Sequence, residues 1–262
     1  MTLPQETDIL VIGAGPAGLA AATILAKTAR VLVVDREATA GGIPRHCGHY
    51  PFGMREFHRL MKGPDYARAL VERAVQAGVT IATRVNVVQL EPGPLVTVTS
   101  DAGLSEIRAK IVLIATGVRE SSRAQRLIGG EKPGGIIPTG ALQGLVYLEG
   151  RRPFRRPVIL GTELVSFSAI MTCLHAGIRP VAMIEPNAEA TARWPAALYP
   201  RLKGIPLHLS TSIRAIEGRE RVERVIVDGP TGMQAIETDG VIVTGKFRPE
   251  ATLFDGSHLE KD

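Results

Sequence analysis

The chain has 262 residues, of which 45% are apolar and 22% charged, enough for one large α/β domain or two compact ones. That balance excludes a disordered, collagenous or disulfide-scaffold protein. Bases outnumber acids by 31 to 26, but they are scattered among the acids and form no nucleic-acid footprint.

The first eight residues lack the basic-then-apolar pattern of a signal peptide, and no apolar run approaches the ~20 residues of a membrane span. The expectation is a cytoplasmic protein with no transmembrane segment. Two cysteines, Cys47 and Cys173, make neither a disulfide framework nor a four-cysteine zinc site.

Asp8 to Ile12 is a continuous apolar run of the kind buried on both faces of a parallel sheet. It leads into Gly13-Ala14-Gly15-Pro16-Ala17-Gly18 and an Ala/Leu-rich helix to about Ala29. Val31 to Val34 is a second buried strand ending at Asp35, which completes a βαβ unit. Residues 41–63 are irregular and rich in Gly, Pro and His, as in a functional loop. A helix is predicted from Asp65 to Gly78, a strand pair over Val79 to Val88, a hairpin arm from Leu95–Thr99 with Glu106–Ala109, and a third buried strand over Ile111 to Ala115.

Residues 119–155 read as a polar connection ending in Arg151-Arg152-Pro153-Phe154-Arg155-Arg156, the expected domain boundary. Beyond it the pattern starts again. Val158–Leu160 and Pro180–Ile184 are strands around a helix from Val165 to Ala176. A helix over 188–202, short β segments from Leu207 to Val227 and a buried strand at Gly240–Val243 follow. Two related α/β halves are expected: a first domain over 1–155, a second over 156–250 and a tail over 251–262.

The glycine run carries specific chemistry. Gly13 permits a tight turn, Gly15 lets the backbone approach a pyrophosphate, and Gly18 allows close helix–strand packing. The helix N-terminus offers unpaired N–H groups to phosphate, and Asp35 stands where a carboxylate binds a ribose diol. An adenine dinucleotide is the expected ligand.

Three features, the glycine run, Gly41-Gly42 after the acidic strand end, and Ile111–Gly117 closing on Ala-Thr-Gly, resemble the two-dinucleotide-domain flavoproteins of the pyridine nucleotide-disulphide oxidoreductase superfamily. Residues 41–70 are similar to FAD/NAD(P)-binding subunits associated with glycerol-3-phosphate dehydrogenases, and to subunits of heteromeric dehydrogenases acting on opines, proline, hydroxyproline or glycine. The resemblance implies two Rossmann-like three-layer domains with parallel sheets, the first lacking its usual C-terminal segment. It implies FAD in the first domain, a small-molecule substrate and partner subunits. The cofactor-binding set it implies is Gly13, Gly15, Pro16, Ala17, Gly18, Asp35, Arg36, Gly41, Gly42, Val87, Ala115, Thr116 and Gly117.

The implied function is an FAD-binding oxidoreductase subunit of a multi-subunit dehydrogenase that oxidises an amino acid, opine or polyol-phosphate-type molecule. Two alternatives stay open. One is a single-Cys NAD(P)H-dependent peroxide or disulfide reductase, with Cys47 and His49 as catalytic candidates and His46 helping to lower the thiol pKa. The other is a nucleotide-binding subunit without catalytic turnover. Because only Cys47 lies in the relevant loop, a dithiol mechanism is excluded. His46, Cys47, His49 and His58 have ligand chemistry but not paired zinc spacing, so no metal is expected.

In the second half the corresponding run is Gly161-Thr162-Glu163-Leu164-Val165-Ser166. Glu163 would repel a pyrophosphate, Ser166 would crowd the helix–strand approach, and Glu185 stands at the next strand tip where a ribose would be read. A domain that binds NAD(P) poorly or not at all is expected.

Overall fold

The structure, a computed structural model, describes residues 3–254. The chain forms two compact units, one running up to Arg119 and resumed at Pro249, the other spanning Glu120–Arg248.

In the first unit β1 (Glu6–Ile12) leads through the glycine turn into α1 (Pro16–Leu25), and β2 (Val31–Asp35) follows. After the irregular loop come α2 (Gly63–Gln76), β3 (Thr80–Thr83), β4 (Asn86–Glu91), β5 (Leu95–Ser100), β6 (Gly103–Ile114) and β7 (Val118–Arg119). One sheet has the order β3-β2-β1-β6-β5-β4. Its β3-β2-β1-β6 part is parallel, in a register that pairs Ile12 with both Val34 and Ile114.

The apolar runs of β1 and β2 are buried on both faces. Val11 and Val33 pack beneath α1 and α2 with Leu19, Ala22 and Leu70. Leu10, Ile12, Leu32 and Val34 pack on the other face with Val96, Val98 and Ile107. Each fully buried side chain of this size contributes about 1.5–3 kcal/mol.

The second unit contains β8 (Gly129–Gly130), β9 (Ile136–Pro138), α3 (Thr139–Gln143), β10 (Val158–Leu160), α4 (Leu164–His175), β11 (Ala182–Ile184) and α5 (Tyr199–Leu202). β12 (Leu207–His208), β13 (Ser212–Glu217), β14 (Arg224–Gly229), β15 (Gly232–Glu237) and β16 (Val241–Val243) complete it. Its parallel sheet runs β12-β11-β10-β16-β9, so both units share the three-two-one-four order of a dinucleotide-binding fold. Ile159, Met183 and Ile242 face α4, while Val158, Leu160 and Ile184 face the β13–β15 meander.

Four expectations are corrected. Residues 111–115 do not form a separate buried strand, because β6 is continuous over 12 residues and leaves Ile111 58% exposed. The 119–155 connection is part of the second unit, since β9 pairs with β16 and β8 with β13. The boundary therefore falls at Arg119/Glu120 rather than after residue 155, and the arginine cluster is held inside that unit by Asp239 and by buried Phe154. Pro195 and Pro200 break the predicted 188–202 helix, leaving a 3-10 turn (Ala196–Leu198) and the four-residue α5.

The fourth correction concerns the tail, whose residues 251–253 are not free. After β17 (Arg248–Pro249) the chain rejoins the first unit, where Thr252–Phe254 forms a 3-10 turn and Leu253 packs against the core. The rest of the expected tail, 255–262, lies outside the described residues.

Candidate functional site

The glycine turn is built for two distinct reasons. Gly13 has φ +111°, and a Cβ there would overlap the Ala115 carbonyl; one on Gly18 would overlap the Gly13 carbonyl. Those two glycines are required by the chain itself. Gly15 is not. It caps α1 with φ −79° and ψ −179°, an ordinary extended conformation, and a Cβ there would meet nothing within 4 Å. The open space lies at a helix N-terminus with Pro16 in its first turn, exposed Ala17 next and no side-chain cap, so the first N–H groups have no intrahelical partner.

Gly41 and Gly42 lie against this turn. Gly41 donates to the Ala14 carbonyl at 2.8 Å, and a Cβ on Gly42 would stand 2.7 Å from the Gly15 Cα. Their φ values, +119° and +63°, favour glycine as well. Asp35, at the β2 tip, accepts the Ala14 N–H at 2.6 Å and the Glu37 N–H at 2.8 Å. Each carboxylate oxygen so used keeps acceptor capacity for a hydroxyl. Arg36 is exposed and lies 4.0 Å from the Glu37 carboxylate.

The Ala115 N–H donates to Ile12 at 2.8 Å. Thr116 Oγ1 donates to the Glu250 carbonyl at 2.8 Å, and the Glu250 N–H returns to Gly117 at 2.9 Å. Glu250 follows no periodic pattern, so nothing local in the sequence marks it. Val87 lies in β4, where it pairs with Val98 of β5 and its side chain packs on the core, two residues beyond Val85, whose N–H donates to the Asp35 carbonyl at 2.9 Å.

An open helix N-terminus, a glycine with no internal reason to be one, and an anchored carboxylate fit the pyrophosphate and ribose of an adenine dinucleotide. The fit rests on the chain's own geometry.

The thiol loop is different in kind. Cys47 is buried where α2 begins; Gly63 donates to its carbonyl at 3.1 Å, and a Cβ on Gly63 would overlap the Pro44 and Cys47 carbonyls. Burial pushes the Cys47 thiol up to about 11. His46 is shifted the other way, first by burial and then by Arg45, which disfavours the imidazolium that would lower the pKa of the thiol. Its Nε2 is buried and has no hydrogen-bond partner among the described residues. His49 Nδ1 lies 2.9 Å from the Tyr50 carbonyl and its ring 5.5 Å from Phe52, while His58 is exposed. Among the described residues no three His, Cys, Asp or Glu side chains are grouped to hold a metal.

The protonation state opposes thiolate chemistry at Cys47. Alkylation by iodoacetamide at pH 7 is expected to run two to three decades (roughly) below a free thiol, rising about tenfold per pH unit towards the thiol's pKa. Cys47→Ser is expected to keep flavin reduction by the physiological donor within about threefold; a loss of two decades with flavin bound would restore the thiol mechanism.

In the second unit Glu163 takes the role of Gly15. It caps α4 with φ −70° and ψ 167°, nearly the same backbone. Its Oε1 accepts the Lys246 N–H at 2.9 Å, and a Cβ on Gly245 would overlap its carboxylate. Glu120 accepts from Gly245 at 3.1 Å and from Gly140 at 2.8 Å, and the half-buried Arg126 donates to the Thr244 carbonyl.

Two expectations about this loop change. Ser166 does not crowd the helix–strand approach; it is buried and shares a 2.5 Å hydrogen bond with Thr244 Oγ1. Glu185 is only 3% exposed, and its oxygens accept from Thr162 at 2.5 Å and from the Asn187 amide and side chain at 3.0 and 2.8 Å. It is not presented to a ribose.

Comparison with known proteins agrees with this geometry. The sequence model of the family described as pyridine nucleotide-disulphide oxidoreductase matches residues 7–262. The A subunit of opine oxidase from Rhizobium meliloti (strain 1021) is 32% identical over 73% of this chain and 42% of the relative. The alpha subunit of sarcosine oxidase from Corynebacterium sp. (strain P-1) is 30% identical over 93% of this chain and 26% of the relative. The chain spans between 26% and 53% of the length of the first four such relatives.

Among solved structures, thioredoxin reductase of T. acidophilum superposes with a TM-score of 0.80 at 21% identity, over 99% of this chain and 83% of that one. L-proline dehydrogenase from P. horikoshii gives 0.73 at 20% identity, over 95% and 44%. No helix among the described residues is long and apolar enough to cross a membrane. The chain belongs to the pyridine nucleotide-disulphide oxidoreductase family.

Proposed function

We propose that the chain is the FAD-binding subunit of a multi-subunit cytoplasmic dehydrogenase that oxidises an amino acid, an opine or a polyol-phosphate-type small molecule. The carrying observation is the asymmetry between two matching loops. Gly15 leaves its cradle open, whereas Glu163 fills the equivalent one with a carboxylate. One unit can accept a dinucleotide and the other cannot, which suits a flavoprotein reduced by a substrate C–H bond rather than by a nicotinamide. The relatives named as opine and sarcosine oxidase subunits support the amine-type substrate and the partner subunits.

In this reading the first unit would hold FAD, which would supply a two-electron acceptor for the hydride leaving the substrate carbon. The chain's own residues hold it. The α1 N-terminus and Gly15 receive the pyrophosphate, Asp35 accepts from the ribose hydroxyls, and the Gly41-Gly42 pair shapes the wall of the cradle.

The test is anaerobic reduction of the FAD-loaded chain, alone and with its partner subunit, followed as loss of the visible flavin band. Bleaching by an opine, sarcosine, proline or glycerol 3-phosphate, with NADH and NADPH inert, is the expected result. Stoichiometric bleaching by NADH alone would favour the thiol-reductase alternative.

A further inference from the structure

We propose that Glu163 is a built-in anion that occupies the phosphate cradle of the second unit, and that this one side chain bars dinucleotides from it. The inference deepens the reading of that unit given above, replacing simple repulsion with occupancy. Its basis is the near-identity of the two turns. Gly13 and Gly161 both adopt positive φ, +111° and +113°, and the caps of α1 and α4 have almost the same dihedrals. Both lie after the first strand of a sheet in the same strand order.

The difference is what lies over each turn. In the first unit nothing stands within 4 Å of a Cβ on Gly15. In the second, a carboxylate reaches from the α4 cap to the Lys246 N–H in the loop after β16. A pyrophosphate in this fold passes between those two loops, the glycine turn and the end of the fourth strand. The Glu163 carboxylate thus makes a charge-assisted hydrogen bond that a phosphate oxygen would otherwise make. The half-buried Arg126 lies close enough for the carboxylates of Glu163, Glu120 and Glu185 to act on it, so the site also retains a cation.

The other departure from the glycine pattern is harmless to the cradle. Ser166 is fully buried and hydrogen-bonded to Thr244, which stands where Ala115 stands in the first unit. The helix–strand contact has already adjusted to it. Glu185 cannot read a ribose, because it is buried and engaged with Thr162 and Asn187. An opened cradle is therefore expected to recognise phosphate more than nucleoside.

The test uses the full chain, with natural Gly15 and in a Gly15→Glu background that closes the first cradle. NADH binding is followed by fluorescence and inorganic pyrophosphate binding by calorimetry. The natural second unit and Ser166→Gly are expected to show no saturation below about 1 mM, whereas Glu163→Gly and Glu163→Ala gain at least about 30-fold in affinity for both ligands. Glu163→Ala suits the extended cap and carries the test if the glycine variant folds poorly. Glu163→Gln, which keeps an acceptor for Lys246, is expected to stay closed.

Equal gain in Glu163→Gln and Glu163→Gly would show that charge, not occupancy, is the barrier and would overturn the proposal. No gain in the folded alanine or glycine variant would overturn it too, leaving the wider reading of the protein intact. Saturable NADH binding by the natural second unit at low micromolar concentration would sink both.

Discussion

Gly15→Glu is expected to abolish FAD retention while leaving the apoprotein folded. A Cβ at this position meets nothing within 4 Å and the backbone is extended, so the substitution is not expected to disturb the turn itself. It places a carboxylate where two phosphate charges must lie. At ~4 Å and an effective dielectric near 20, one like-charge contact costs about 4 kcal/mol, roughly a thousandfold in affinity. Screening at a part-exposed site reduces this, yet a third of it is still about tenfold. The measurement is the flavin-to-protein ratio after purification in excess FAD, with circular dichroism confirming the fold. An unchanged ratio would remove the first unit from consideration as the flavin site.

Gly18→Ala is expected to act on the fold itself. A Cβ on Gly18 would overlap the Gly13 carbonyl and press on Ala115, and these neighbours are backbone and sheet rather than flexible side-chain ends. α1 must move away from β1, opening the layer in which Leu19 and Ala22 meet Val11 and Val33. A destabilisation of about 3 kcal/mol or more is expected in urea denaturation. The same substitution three positions earlier supplies the contrast. Gly15→Ala fits its extended backbone and is expected to leave stability within about 1 kcal/mol, while weakening FAD by crowding the approach. If the two variants lost equal stability, Gly15 too would be structural, and the argument from open space would fail.

Most of the first unit was legible because its signals are local. An apolar run, a glycine turn, a helix and a second apolar run ending in an acid can be read within 35 residues, and the structure brings that acid to the Ala14 N–H. The double glycine was legible for its composition but not for its place; only the fold shows Gly42 resting on Gly15. The second unit was harder at its edges. β8 and β9 are two and three residues long, too short for periodicity, and they are strands only through distant partners in β13 and β16. Cys47 misled for a related reason. Two neighbouring histidines suggest an activated thiol, but burial beneath the start of α2 decides its state, and burial cannot be read from spacing. Glu163 was visible as an intruding charge, while its bond to Lys246 depends on a contact 83 residues away.

The return of the chain to Thr116 and Gly117 bears on how the protein acquires its shape. The Thr116–Glu250 hydrogen bond joins residues 134 apart, and everything between Glu120 and Arg248 is in effect one loop of the first unit. Closing so long a loop from an unstructured chain would cost about 3 kcal/mol more entropy than closing a four-residue turn, since each doubling in length adds roughly 0.6 kcal/mol. If the inserted unit folds first, that penalty shrinks, because the span is then replaced by a compact body with fixed ends. During synthesis the inserted unit is also complete before Glu250 emerges. The topology therefore favours a sequence in which the inserted unit closes before the Glu250 segment docks on Thr116 and Gly117.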